Sequence, residues 1–429
     1  MRKLLLAFFG VVMTTGLSAQ SQIEVFKKNI NCSASNYLAY PGPTQGKLTK
    51  APAGKKPFYL SHYGRHGSRY HNNRIEYDYP YDVLTEAERW DKLSPLGKDV
   101  LRRVTLLRQE SWSRLGDLTP LGAQQHKDIA RRMVERFPEV FEGEAVVDAK
   151  STIVVRCILS MENALHQLLR LNPKLKISHD ASYADMYYMN QQDPKMVEQR
   201  MTKAARDAFE AYCKNHEKWH RMVNSLFNDT AYVSQNVNGE RLNYYLFNLA
   251  SNVQSTELRD QLTLYDIFTD DEILCNWQRE NTNWFLAYGN YPVNGGQQPF
   301  IQRNLLRQII ELTDSCIQLE RPGVTLRYGH ETIVMPLTCL IGLNGYDQPI
   351  DDLNQLEQKG WLNYRVFPMA CNIQFVFYRS SPKDKDILFK VLLNENEATL
   401  PLKSKTAPYY RWADFREYCL KKLASFKEE

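Results

Sequence analysis

The run Arg65-His66-Gly67-Ser68-Arg69 combines residue types that can hold and attack a phosphate group. Arginine binds phosphate oxygens with a planar fork of N–H donors, and histidine can act as a nucleophile towards phosphorus. The apolar residues 57–60 just before it predict a buried parallel strand, and the glycine permits a close approach of the backbone to a ligand. The pattern therefore predicts a strand followed by an anion-binding loop.

These few residues also have a simpler explanation. Arginines in loops are usually solvated surface charges, and an isolated histidine is more often structural than catalytic. Hydrolysis of a phosphomonoester through a phosphohistidine would also need further cations around the transferring group and an acid to protonate the leaving oxygen. The chemical interpretation therefore depends on partners elsewhere in the chain.

The tripeptide Gly329-His330-Glu331 is the candidate source of the acid. It follows a predicted strand over 324–328 and precedes a predicted helix over 332–343. In an open α/β sheet, ligands gather beyond the carboxyl ends of adjacent strands. A His-Glu pair is common by chance, so its position after a strand is what favours a role in the site.

Arg156 is a further candidate ligand, at the end of a predicted strand over 151–155. A solvent-exposed arginine that ends a strand is the ordinary explanation of such a residue. A charged residue that directly follows four apolar strand positions would nevertheless lie where the strand ends, at the carboxyl edge of the sheet. Three strand ends would then meet at one pocket.

Strand and helix patterns alternate along the first part of the chain, which predicts an α/β fold with a doubly wound, mostly parallel sheet and helices on both faces. Residues 181–319 have few β-branched runs and contain long helical segments, such as 194–214 and 300–318, which predicts an inserted all-helical domain. The predicted organisation is a signal peptide over 1–20, the first part of the core over 21–180, the helical domain over 181–319 and the second part of the core over 320–429.

Four stretches together resemble the acid phosphatase and phytase branch of the histidine phosphatase superfamily, which includes the multiple inositol polyphosphate phosphatases. They are RHGSRY at 65–70, LTPLGxxQ at 118–125, STxxxRxxxS at 151–160, and YGHE at 328–331 with Pro336 following. The resemblance implies a phosphoglycerate mutase-like core and no metal or other cofactor. It implies His66 as the nucleophile, and as phosphate ligands it implies Arg65, Arg69, Arg156 and His330.

The chain departs from this family at the acid. The family usually carries His-Asp or His-Ala-Glu, whereas this chain has His330-Glu331-Thr332. The spacing to Pro336 places Glu331 at the aspartate position, so Glu331 is the expected proton donor, with a side chain one methylene longer. An acidic pH optimum is expected because a bound phosphate anion raises the pKa of a neighbouring carboxyl group.

The N-terminus predicts export. Residues 1–20 contain the basic pair Arg2-Lys3, an apolar run over 4–12 and small residues up to Ala19, which is typical of a secretory signal peptide. A periplasmic or extracellular protein is therefore expected. The sequence contains no run of about eighteen apolar residues, so no transmembrane helix is expected.

Composition restricts the ligand class. Hydrophobic residues make up 43% of the chain and aromatic residues 12%, enough for a packed interior, and the net charge is +5. The basic residues are dispersed, which argues against nucleic acid and favours a small anionic phosphate ester. The eight cysteines contain no Cys-x-x-Cys pair, and Cys157 and Cys371 are expected in buried strands. Nothing in the sequence indicates an oligomeric state.

Several alternatives stay open. His62, His66 and His71 could form a metal cluster, although Val334 stands where a His-Glu-x-x-His motif needs its second histidine. A non-catalytic phospholigand-binding protein would keep the arginine pocket without turnover.

Among phosphatases, the alternative to an enzyme acting on phytate is a broad-specificity acid phosphatase acting on sugar phosphates or nucleotides. Phytate is preferred because the Arg69-Tyr70 continuation and the export signal resemble the inositol polyphosphate group. Four bases of the helical segment could meet a polyanion, but a solvated helix face explains them equally well; they are Lys195, Arg200, Lys203 and Arg206.

Overall fold

An eight-stranded sheet forms the centre of the protein in the computed structural model, which describes residues 21–426. The strands are β1 (Lys56–Arg65), β2 (Val146–Ser151), β3 (Lys176–Asp180), β4 (Gly323–Gly329), β5 (Asn372–Arg379), β6 (Leu388–Leu393), β7 (Asn396–Ala398) and β8 (Tyr410–Arg411). Their order is β3-β2-β4-β1-β5-β6-β7, and β8 pairs with β6. Four neighbours, β3, β2, β4 and β1, are mutually parallel, and β6 runs in their direction because it is antiparallel to β5, which is antiparallel to β1. The predicted α/β fold with a mostly parallel sheet is confirmed.

The central strands β1 and β4 are covered on both faces. Every residue of β4 is buried, and so is every residue of β1 after Lys56. Continuous burial of this kind is typical of parallel strands with helices on both sides. The register places Arg65 opposite Gly329, and Ser151 opposite Tyr328, so β1, β4 and β2 end at the same edge of the sheet.

Helices connect and flank these strands along the whole described chain. In chain order they are α1 (Gln22–Lys28), α2 (Ile75–Arg89), α3 (Pro95–Glu110), α4 (Pro120–Arg136), α5 (Val155–Leu171), α6 (Met186–Met189), α7 (Pro194–Gln199), α8 (Lys203–Asn215), α9 (His220–Ser225), α10 (Thr230–Asn236), α11 (Gly239–Asn252), α12 (Asp270–Tyr288), α13 (Arg303–Cys316), α14 (Glu331–Leu340), α15 (Asn363–Val366) and α16 (Trp412–Ser425). A 3-10 helix at Ile30–Tyr37 precedes β1.

Helices pack on both faces of the sheet. On one face, α4 and α5 contribute Ile129 and Leu165 to a cluster with Leu326 of β4. On the other, α13 and α14 contribute Ile309 and Ile333 to the largest hydrophobic cluster. A third cluster joins α2 and α3 to helices of the segment 222–277.

The segment 181–319 contains helices α6 to α13 and no strand within its described residues. Part of it, including α13, packs on the sheet, and part packs on α2 and α3. Its folding as a separate domain stays a prediction. The predicted helix over 194–214 is wrong in its continuity, because α7 ends at Gln199 and Thr202 caps a new helix by accepting from the Ala205 N–H.

The predicted strand over 151–155 is also wrong. The strand β2 ends at Ser151, and α5 begins at Val155, so Arg156 lies in the first turn of a helix. The β-branched run 152–154 favours a strand only weakly. The buried helical stripe that follows, with Met161 and Leu165 among its members, decides the structure in favour of the helix.

Cys157 accordingly lies in α5, and Cys371 directly precedes β5; both are buried. Each of the eight cysteines is a free thiol. The predicted signal peptide, residues 1–20, lies outside the described residues. Across residues 21–426, none of the helices combines the length and the apolar character that crossing a bilayer requires.

Candidate active site

The backbone of His66 is fixed by both strands that flank β1. Its N–H donates to the Gly329 carbonyl at 2.9 Å, and its carbonyl accepts from the Ala370 N–H at 2.9 Å. The Arg65 N–H donates to the Cys371 carbonyl at 2.8 Å. The loop after β1 is therefore held in one position at the carboxyl edge of the sheet.

The first turn of α4 packs directly against this loop. A Cβ atom on Gly122 would overlap the Ser68 carbonyl oxygen, and one on Gly67 would overlap Gly122 itself, so the close approach requires glycine at both positions. Gln125 accepts from the Ser68 N–H at 2.9 Å and donates to its hydroxyl at 3.0 Å. Thr119 caps α4 and also donates to the Ser68 carbonyl at 3.1 Å.

The His66 ring is a neutral imidazole. Its Nδ1 lies 2.9 Å from the Gly67 carbonyl oxygen, which can only accept, so Nδ1 carries the proton and the lone pair stays on Nε2. The pKa of His66 lies well below its ordinary value, first because the ring is buried and then because of the nearby charges of Arg65 and Arg156. Nε2 is the atom that can attack.

Arg65 is fully buried behind the imidazole. Its Nη1 donates to the carbonyls of Asn36 at 2.6 Å and Phe367 at 2.9 Å, and its Nη2 lies 3.0 Å from Glu331 Oε1. Asn36 Nδ2 also donates to Glu331 Oε1 at 3.2 Å. Arg65 and Asn36 together orient the Glu331 carboxylate.

Arg69 and Arg156 extend the cationic surface. Arg69 Nη1 donates to the Tyr70 carbonyl at 2.9 Å, and its guanidinium lies 5.6 Å from the centroid of the Tyr37 ring. The Nε atoms of Arg65, Arg69 and Arg156 are all buried without a hydrogen-bond partner. Burial, and after it the like charge of Arg69, lowers the pKa of Arg156. Clustered guanidinium donors without acceptors indicate a binding site for an anion.

The His330 ring lies next to the His66 ring, with 5.7 Å between the ring centroids and an edge-to-face arrangement. Its Nε2 is 3.3 Å from the Thr152 hydroxyl and 3.8 Å from Cys157 Sγ. Burial, only partly opposed by Glu331, lowers the pKa of His330 to about 4. His330 is thus a neutral N–H donor at ordinary pH.

Glu331 is the first residue of α14, and its Oε2 lies 3.8 Å from His66 Nε2. Burial by itself raises the pKa of Glu331, but the charges of Arg65 and Arg69 outweigh burial and lower it to about 2. The carboxyl group is therefore ionised in the ligand-free protein. It can act as an acid only after a bound anion has offset these charges.

The arginines of the site also bear on whether it could bind a metal ion. The ligand atoms of His66, His330 and Glu331 lie within 4.8 Å of one another, and they form the one group of this kind among residues 21–426. The three guanidinium groups nearby favour an anion over a cation by simple Coulomb repulsion. The alternative cluster does not form, because His62 packs against Tyr328, and the ring of His71 packs against Tyr37.

The structure brings together all six residues singled out in the sequence; they are Arg65, His66, Arg69, Arg156, His330 and Glu331. Four neighbours were missed. Thr152 and Cys157 fall within the stretch 151–160, where the STxxxR pattern pointed towards them. Asn36 and Tyr37 come from the 3-10 helix before β1, and no motif in the sequence marks them.

Comparison with known proteins places this site in a family context. The sequence profile of the histidine phosphatase superfamily (branch 2) matches residues 64–394. Multiple inositol polyphosphate phosphatase 1 of Gallus gallus is 21% identical over 334 residues, covering 71% of this chain and 69% of that protein.

Solved structures share the fold. The multiple inositol polyphosphate phosphatase of Bifidobacterium longum, in complex with inositol hexasulfate, has a TM-score of 0.74 at 17% identity, covering 90% of this chain and 97% of that chain. The phytase from D. castellii has a TM-score of 0.65 at 15% identity, covering 92% of this chain and 85% of that chain.

Proposed function

Because the chain belongs to branch 2 of the histidine phosphatase superfamily, whose inositol phosphatase and phytase members are phosphoric monoester hydrolases, we propose that it hydrolyses inositol polyphosphates such as phytate through a phosphohistidine on His66. The observation that carries this proposal is the meeting of a neutral His66 Nε2, three guanidinium groups and the Glu331 carboxylate at one edge of the sheet.

The reaction has two steps. His66 Nε2 attacks phosphorus, the bond to the ester oxygen breaks, and the leaving alkoxide takes a proton from Glu331. Water then attacks the phosphohistidine, its proton passes to Glu331, and inorganic phosphate leaves as the P–N bond breaks. Arg65, Arg69 and Arg156, with the N–H of His330, stabilise the negative charge of the transferring group.

The proton for the leaving group arrives with the substrate. Glu331 is ionised in the free enzyme, whereas a phosphate monoester keeps one proton below a second pKa of about 6. When the phosphate group occupies the arginines, it offsets their charge and raises the pKa of Glu331, which can then take up that proton. The predicted acidic optimum follows from this coupling.

Hydrolysis of p-nitrophenyl phosphate, with and without EDTA, tests the reaction class. EDTA-resistant turnover supports the histidine mechanism, EDTA-sensitive turnover supports a metal, and no turnover supports a protein that only binds phosphoesters.

The substrate is inferred from relatives. The chicken relative is called an inositol polyphosphate phosphatase, and the Bifidobacterium structure holds inositol hexasulfate. Phosphate release from phytate, sugar phosphates and nucleotides, measured side by side, tests this choice. Comparable rates on all three would favour the alternative, a broad-specificity acid phosphatase.

Export is also a proposal, supported by the basic and apolar pattern of residues 1–20. Expression of the full chain, cell fractionation and N-terminal sequencing would test it. A protein retained in the cytosol with Met1 intact would contradict it.

A further inference from the structure

Two different kinds of contact hold the Glu331 carboxylate, and both reach its Oε1 atom. Arg65 Nη2 forms an ion pair with Oε1 at 3.0 Å, but without the geometry of a hydrogen bond. The Asn36 amide donates a hydrogen bond to the same oxygen, from Nδ2 at 3.2 Å. An ion pair attracts from many directions, whereas a hydrogen bond weakens steeply with angle. Asn36 therefore supplies the directional contact.

The two oxygens of this carboxylate consequently have different surroundings. Oε1 faces the N–H groups of Asn36 and Arg65, which can donate protons but cannot accept one. Oε2 lies 3.8 Å from His66 Nε2. A proton on Oε1 would point at these donors, whereas a proton on Oε2 leaves both contacts intact. The acid proton therefore belongs on Oε2, the oxygen nearer the nucleophile.

The backbone that carries Asn36 is fixed to two strands of the sheet. The Asn36 carbonyl accepts from Nη1 of Arg65, the last residue of β1, at 2.6 Å. The Leu38 carbonyl accepts at 2.7 Å from the N–H of Met369, shortly before β5. Both contacts use backbone carbonyls of the segment, so they would persist if the Asn36 side chain were removed.

Ser35, the residue before Asn36, has an unusual backbone conformation. Its φ of 55° and ψ of −126° interrupt the 3-10 helix Ile30–Tyr37. Residues other than glycine rarely adopt a positive φ, and those that do are held there by their surroundings and cluster at functional sites. The kink directly precedes the two residues of this helix that reach the active site, Asn36 and Tyr37.

A buried polar network secures Ser35. Its hydroxyl accepts from Asn363 Nδ2 at 2.8 Å, and Asn363 Oδ1 accepts from Trp277 Nε1 at 3.0 Å. The Asn363 N–H donates to Asn281 Oδ1 at 2.9 Å. These four side chains are all buried, and breaking such a network is costly because it leaves a polar group unpaired. Helices α12 and α15 thus help to determine where Asn36 lies.

We propose that Asn36 is a positioning residue for the acid: it holds Oε1 of Glu331 so that Oε2 delivers the proton to the leaving oxygen. This inference rests on the proposed function and adds a residue that acts through proton transfer. Removing its amide should slow the cleavage of esters whose leaving oxygen needs a proton and spare esters whose leaving group does not.

The test is the leaving-group dependence of kcat/KM, which reports the step in which the ester bond breaks. Asn36→Ala should lower kcat/KM on an alkyl phosphate about 10- to 100-fold, the factor that corresponds to a hydrogen bond with a charged group. On p-nitrophenyl phosphate the loss should be less than about threefold. Asn31→Ala removes the same kind of side chain from the same 3-10 helix and should change neither value.

A double-mutant cycle separates positioning from support of the fold. If Asn36 acts through Glu331, adding Asn36→Ala to Glu331→Gln should lower kcat/KM on the alkyl phosphate by less than about a further twofold. Three results would overturn the inference: a loss of the same factor in both backgrounds, equal losses on the two esters, or an Asn36→Ala enzyme with wild-type kcat/KM on the alkyl phosphate. Failure of the proposed function would look different, because the wild-type enzyme would then hydrolyse neither ester.

Discussion

At the scale of single residues, the site depends on protonation states that burial and neighbouring charges determine together. His66 and His330 are kept neutral, and Glu331 is kept ionised by Arg65 and Arg69. A neutral nucleophile beside permanent cations is what attack on a phosphate anion requires.

Replacing the nucleophile should abolish turnover. His66→Ala is expected to lower kcat for p-nitrophenyl phosphate by at least about four orders of magnitude, because the substitution removes the Nε2 atom that attacks phosphorus. Initial rates measure the loss, and circular dichroism checks the fold. The exposed His166 in α5 provides the control, since His166→Ala should keep wild-type rates. Near-normal turnover of His66→Ala would refute the mechanism.

Replacing the acid should affect substrates unequally. Glu331→Gln is expected to lower kcat by about 10² to 10⁴ on an alkyl phosphate, whose leaving oxygen needs a proton, and much less on p-nitrophenyl phosphate. Thr332→Val, at the next position of α14, should leave both rates unchanged. Similar losses on the two substrates would count against Glu331 as the acid.

The pH dependence of kcat/KM should be determined by the second pKa of the substrate's phosphate group. Since the pKa of Glu331 is about 2 in the free enzyme, kcat/KM for alkyl phosphates should fall about tenfold per pH unit above their second pKa, near 6. Two alkyl phosphates with different second pKa values separate the possibilities. The midpoint should move with the substrate; one shared midpoint would instead indicate an enzyme group.

At the scale of elements, the site depends on how closely α4 packs against the loop after β1. The contact joins Gly122 in the first turn of α4 to the Ser68 backbone, and Gln125 holds the Ser68 N–H. The helix thus positions the loop that carries His66 and Arg69.

Separating these two elements should impair catalysis without touching a catalytic side chain. Gly122→Ala would force its methyl group into the Ser68 carbonyl, so we expect a lower unfolding midpoint and a loss of kcat of about tenfold or more. Gln124→Ala, on the exposed side of the same helix, is the matched control. A Gly122→Ala enzyme with wild-type kcat would show that the loop keeps its position without this contact.

At the scale of the whole molecule, buried histidines should make the fold sensitive to acid. Burial lowers the pKa of His62, His71 and His126 to about 3 each, against an ordinary value of 6.5. Between these values only the unfolded chain binds the protons, so stability is constant above pH 6.5 and declines as pH falls towards 3. Stability is therefore expected to decline in the same pH range, below about 6, in which catalysis is expected to be fastest.

The size of this effect is measurable. Each such histidine contributes about 1.4 kcal/mol of destabilisation per pH unit below 6.5, so three give at most about 4 kcal/mol per unit. Thermal unfolding at pH 7, 6 and 5 should show a steepening fall in the midpoint. His126→Gln should flatten the dependence. An unfolding midpoint that is constant between pH 7 and 5 would contradict the prediction.

The sequence by itself determined the contiguous parts of this protein. The order of a strand, a glycine loop and charged residues is local, so His66, its two arginines and the His330-Glu331 pair could be recognised from neighbouring residues alone. The same applies to the alternation that predicted the sheet. The prediction of a strand failed at residues 151–155, where the buried stripe of helix α5 outweighed the strand propensity of the β-branched residues.

Only the tertiary structure decided the rest, because burial and pairing join residues that are far apart in the chain. Asn36 reaches Glu331 across 295 positions, and the ionised state of Glu331 depends on Arg65 and Arg69. Among four similar bases, Arg200 is partly buried against the Tyr288 ring, whereas Lys203 and Arg206 are exposed. Periodicity cannot reveal such differences, because they arise from what packs against each side chain.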